Sequence, residues 1–153
     1  MDSATNAFFA QMHVVVASDH AGFVLKNSLK EYLQEKGIQV VDLGPEQPER
    51  CDYPDYAKMV CVEVLAGKAS WGLLCCGTGI GMSISANRHK GIRAAVVSDC
   101  FSAMATRQHN DANVLCLGER VVGVGLAQQI VDAWIEASFE GGRHQLRIDK
   151  IDT

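Results

Sequence analysis

The sequence predicts an α/β fold, a three-layer sandwich in which helices cover both faces of a five-stranded parallel sheet. Three observations predict it. Short β-rich runs alternate with stretches of helical periodicity along the chain. The β-rich runs are almost continuously apolar, as strands buried on both faces must be. The 153 residues, 48% of them hydrophobic, can build one core but not two. A flexible N-terminal extension over residues 1–12 and a single domain over 13–153 follow as expectations.

The first strand is HVVVAS at 13–18, and it ends in Asp19-His20-Ala21-Gly22. Leu25, Leu29, Tyr32 and Leu33 then recur at helical spacing, and Gly37 closes that helix. Residues 39–43 read as the second strand; 44–54, which hold all three prolines, read as a loop. Tyr56, Met59, Val60 and Val64 mark a second helix ending near Gly67. The third strand, 71–75, runs into Cys76-Gly77-Thr78-Gly79-Ile80-Gly81 and a short helix to about Asn87. A fourth strand at 92–97, a helix from 99 to 107 and a fifth strand at 114–117 follow. Leu126, Ile130, Val131 and Trp134 mark the last long helix, and the tail after Gly141 is basic at Arg143, His144, Arg147 and Lys150.

A net charge of −4 argues against a nucleic-acid partner, so an anionic ligand needs a local arginine cluster. No apolar stretch is long enough to span a bilayer, which argues against a membrane role. Residues 1–11 carry no basic region before their short apolar run and do not read as a signal peptide. The six cysteines include no C-x-x-C pair and several sit in apolar runs, as buried free thiols do. A reducing cytoplasm fits them, with an organelle left open.

In open parallel sheets the ligand crevice lies past the carboxyl ends of the strands. The residues to weigh for chemistry are therefore Asp19 and His20, Cys76 to Gly81, Ser98 and Asp99, and Gly118-Glu119-Arg120. Glycines at 77, 79 and 81 crowd backbone N–H groups at a helix start, a nest that suits an anion. The spacing is neither a P-loop nor G-x-G-x-x-G, and a plain tight turn explains the glycines about as well. Cys76 opens the nest; a thiolate there can remove a carbon-bound proton while the nest holds the enediolate oxygens. Cys75 reads as a buried small hydrophobe. Asp19 has an ordinary use as a helix N-cap. His109 lies between a helix and the fifth strand and carries weight only if it faces the same crevice. Arg143 and Arg147, spaced i, i+4, and Arg120 are phosphate candidates, because a guanidinium fork matches phosphate oxygens.

Six segments in order resemble the ribose-5-phosphate isomerase B family, with its galactose-6-phosphate isomerase relatives. They are 18–22, 52–57, 76–84, 109–115, 117–120 and 142–144 with Arg147. The resemblance runs from about residue 13 to the end. It implies a Rossmann-like sheet and a homodimer whose active sites lie between subunits. It implies interconversion of ribose 5-phosphate and ribulose 5-phosphate in the pentose phosphate pathway, with no cofactor and no metal. Cys76 is then the base between C2 and C1, His109 assists opening of the furanose ring, and Thr78 helps with the O1 proton. The N–H groups of Gly77, Gly79, Ile80 and Gly81 hold the enediolate. Asp19 and His20 contact sugar or phosphate, with Tyr53 and Asn110 nearby, and Arg120, Arg143 and Arg147 bind phosphate, some across the dimer. One family subtype uses a glutamate base at the position of Met82, so Cys76 has no carboxylate rival. The short tail implies a reduced terminal helix.

Rival readings are a hexose 6-phosphate isomerase (allose or galactose 6-phosphate), a nucleotide-binding module with an inert Cys76, and a thiol sensor built on Cys75-Cys76. The last requires a strained disulfide between adjacent residues.

Overall fold

The computed structural model describes residues 3–152. Its sheet has five parallel strands in the order β2-β1-β3-β5-β4. They are β1 (His13–Ser18), β2 (Gln39–Asp42), β3 (Trp71–Cys76), β4 (Ala94–Val96) and β5 (Val114–Gly118). The helices are α1 (Ser3–Ala10), α2 (Phe23–Glu35), α3 (Tyr53–Leu65), α4 (Ile80–Ala86), α5 (Cys100–Asn110), α6 (Val124–Glu136) and α7 (Arg143–Ile148). A 3-10 turn, His20–Gly22, joins β1 to α2. This is the Rossmann-like three-layer sandwich that the alternation predicts.

The pleat sends alternate residues of each central strand into different layers. Val14, Val16, Leu73, Cys75, Leu115 and Leu117 pack with Leu25, Leu29, Ile130 and Trp134 of α2 and α6. Val15, Ala17, Leu74, Cys76, Val114 and Cys116 pack with Ala57, Val60, Met82 and Ala86 of α3 and α4. Because β1 pairs with β2 on one side and β3 on the other, the chain changes direction between β1 and β3. At such a switch point the loops part and leave a crevice.

Several boundaries differ from the sequence reading, among them the fourth strand, expected at 92–97 and confined to Ala94–Val96. The segment 1–12, expected as a flexible extension, carries α1 over Ser3–Ala10, and Phe9 is buried in the core; Met1 and Asp2 lie outside the described residues. Helix α3 begins at Tyr53, where Pro54 occupies the first turn, a position that needs no N–H. Helix α5 runs on to Asn110, so His109 and Asn110 are helical rather than in a loop. Asp111 ends it in the left-handed region at φ 44°, with its carboxylate bridging Arg93 and Arg107. In the tail, Gly141 and Gly142, both at positive φ, turn the chain into α7.

Candidate active site

The sequence places a close approach at the mouth of the crevice. A Cβ on Gly22 would lie 2.3 Å from the Cys75 carbonyl carbon, so only glycine lets this turn settle on the end of β3. The Asp19 N–H donates to the Cys75 carbonyl (3.2 Å). Asp19 is itself buried, and its Oδ1 accepts from the N–H groups of Ala21 (2.8 Å) and Gly22 (3.1 Å). The capping use is thus real, and it fixes this carboxylate on the turn whose Gly22 packs against the Cys75–Cys76 backbone. His20 is exposed and meets the loop through Nδ1, 3.2 Å from the Cys51 carbonyl.

Cys76 is the last residue of β3 and is 5% exposed. Its Sγ accepts the Gly79 N–H at 3.0 Å. Gly79 sits at φ 78°, and a Cβ there would meet Val96 at 2.9 Å and the Leu117 backbone at 3.0 Å. The turn therefore needs glycine for both conformation and space. The Ile80 N–H donates to the Thr78 hydroxyl (3.3 Å). Gly81 and Met82 stand in the first turn of α4, where no helical carbonyl precedes their N–H groups. Arg120 lies over Gly77: a Cβ there would be 3.4 Å from its guanidinium nitrogen. The turn after β5 is locked to the nest by Glu119 N–H to the Cys76 carbonyl (2.9 Å) and Arg120 N–H to the Gly77 carbonyl (3.0 Å). The Tyr53 ring faces Gly81, 2.9 Å from where a Cβ would stand.

The other buried thiols are poor bases. Burial pushes Cys61 up to about 11, and also pushes Cys75 and Cys116 well above the ordinary thiol value. All six cysteines are free.

Asp19, His20, Tyr53, Cys76, Gly77, Thr78, Gly79, Ile80, Gly81 and Arg120 thus gather at the carboxyl edge of the sheet. The remaining candidates do not join them within one chain. Helix α5 starts at the carboxyl edge and runs back, about 16 Å for its eleven residues. His109 and Asn110 therefore lie at the amino edge, where the Asn110 carbonyl accepts from Arg93 Nε (2.9 Å). Helix α7 packs on that end of α5. The rings of His109 and His144 stack with centroids 4.5 Å apart and planes 12° apart. Arg143 and Arg147 are exposed on the same short helix. Sequence reasoning passed over His144 as a site residue; its place inside an otherwise basic exposed tail is the one signal it offered. Among the described residues, His109, Glu140 and His144 form the group whose donor atoms come within 4.8 Å of one another. Parallel rings aim their lone pairs side by side rather than at one point, which suits a stack better than an ion. Among the described residues, no helix is long and apolar enough to cross a membrane.

An open parallel sheet with a glycine nest and a thiol at its switch point defines a class: a doubly wound α/β protein whose carboxyl edge has the geometry to suit an anion. A family model described as Ribose/Galactose Isomerase matches residues 14–151. The chain belongs to that family. It is 51% identical over 138 residues to ribose-5-phosphate isomerase B of Escherichia coli strain K12, covering 90% of this chain and 93% of the relative. Among solved structures, a ribose 5-phosphate isomerase from Thermotoga maritima matches with TM-score 0.92 and 50% identity, over 93% of this chain and 98% of that one. Ribose-5-phosphate isomerase B of Clostridium thermocellum matches with TM-score 0.91 and 47% identity, over 92% and 95%.

Proposed function

We propose that this protein interconverts D-ribose 5-phosphate and D-ribulose 5-phosphate through an enediolate, with Cys76 as the base. The observation that carries the proposal is the Cys76 sulfur, held at the switch point by the Gly79 N–H at 3.0 Å. The sulfur takes the proton from C2; the electrons of that bond form C1=C2, and the charge passes to O1. Donors from the nest and the Arg120 guanidinium suit that charge. The thiol then returns its proton to C1 as the O2 hydroxyl proton passes to O1 and C2=O forms. Thr78 Oγ1, beside the nest, suits the transfer at O1.

The cyclic aldose has no carbonyl, so a second group must open the ring. His109 is our candidate, and Arg143 and Arg147 beside it are candidates for phosphate. Their position at the amino edge supports a homodimer in which the carboxyl edge of one subunit meets the amino edge of its partner. Two-fold symmetry makes that pairing twice, giving two equal composite sites. Asn110 and Arg120 would line them from the two sides. Six free thiols support a cytoplasmic setting.

The test is ketopentose formation from ribose 5-phosphate. Cys76→Ala is expected to lower kcat/KM by about 10²–10⁴-fold, the usual contribution of a positioned base. Undiminished turnover would exclude Cys76. Rates on allose 6-phosphate and galactose 6-phosphate in the same assay set the sugar preference.

A further inference from the structure

His144 has no task in the chemistry above, yet its surroundings are specific. It is 6% exposed, the buried residue of a helix whose other side chains face solvent or its margin. Its Nε2 is enclosed without a hydrogen bond, and the Glu140 carboxylate stands 3.5 Å away in poor alignment. Glu140 is fastened to the end of α5 by its N–H on the Gln108 carbonyl (3.0 Å). An aliphatic residue would fill this space without enclosing an unpaired nitrogen, which is costly. What an aliphatic residue could not supply is a flat ring against His109, 4.5 Å away and nearly parallel.

We propose that His144 is a positioning residue: its ring holds the His109 imidazole in the one orientation that serves ring opening. This rests on the reading of His109 given above. Two imidazolium rings at this separation repel one another. Burial first, then His109, with Arg143 and Arg147 acting the same way and Glu140 opposing, push His144 below the ordinary histidine value. That direction favours the neutral form of His144, whose flat face lies against the His109 ring.

The experiment compares His144→Ala and His144→Phe in the full-length protein by two assays. Conversion of ribose 5-phosphate starts from a closed furanose. Exchange of a C1 hydrogen of ribulose 5-phosphate with D2O needs proton transfer but no ring opening, since this ketose cannot close through its phosphorylated O5. His144→Ala is expected to lower kcat for ribose 5-phosphate about tenfold or more. It should leave the exchange rate within about twofold, which also shows that the variant is folded. His144→Phe should restore conversion, because a flat ring keeps the stack. Equal loss in both assays, with KM raised for both sugars, would mean that His144 merely seats α7 and would overturn the proposal; so would no loss at all, or failure of the Phe variant to restore conversion. His109→Asn separates the two layers. If it leaves ribose conversion intact, the reading of His109 falls and takes this one with it. If it slows conversion while His144→Ala does not, this proposal alone falls.

Discussion

Cys75 and Cys76 adjoin in sequence but face opposite layers of the sheet. Cys75 points among Leu73 and Leu117, where burial holds its thiol protonated; Cys76 ends its strand with the sulfur on the Gly79 N–H. One step of the pleat thus separates a core filler from a candidate base. Gly79 is the other decisive residue. Gly79→Ala must place a side chain at φ 78° against Val96 and the Leu117 backbone. The expected cost is at least about 1 kcal/mol of stability, seen as a lower Tm, together with reduced kcat as the N–H leaves the sulfur. An alanine variant with wild-type Tm and kcat would show that the turn is less constrained than its geometry. The sequence made Cys76 and the glycines legible, because chemistry at a strand end follows from local order. It could not show that Arg120 lies over Gly77, since 42 residues intervene between the two positions (78 to 119) and only β3–β5 pairing brings them together.

At the scale of elements, the outer edge of the sheet depends on a clamp. Lys26 of α2, 1% exposed, donates to both Asp42 oxygens (2.8 and 2.9 Å), and Lys30 adds a third contact (2.9 Å). Burial alone would raise the Asp42 carboxyl, but hydrogen bonds from Lys26, Lys30 and the Gly44 N–H outweigh it and hold it below the usual value. A carboxyl lowered in the folded state contributes stability that is complete above its unfolded value, about 3.9, and is lost as pH falls through the folded value. Asp42→Asn leaves Lys26 buried without a counter-ion, so a loss of roughly 3 kcal/mol is expected at pH 7. The gap from wild type should close as pH drops below about 4. Thermal melts from pH 7 to pH 3 check this; a gap constant across that range would show that the pair contributes nothing through ionisation. Periodicity located the strands and long helices, while the ends of α3 and α5 moved. Pro54 and Asp111 work there through local backbone geometry that apolar spacing does not report.

For the whole molecule, the consequence is division. One chain carries the nest at one edge of the sheet and the His109–His144 stack with its arginines at the other. A mixture of Cys76→Ala and His109→Asn proteins, dissociated and reassembled at equal amounts, tests whether two chains complete one site. Half the dimers are then mixed and each has one intact site, so about a quarter of wild-type activity is expected. No recovery above the separate variants would place each site within one chain. The sequence by itself determined the α/β layering, the anion-suited turn and Cys76, because strand alternation and turn chemistry are local and are written in neighbouring residues. Only the tertiary structure decided that the candidates form two groups rather than one. The direction in which α5 runs, and the end of it on which α7 folds, depend on packing between residues far apart in the chain.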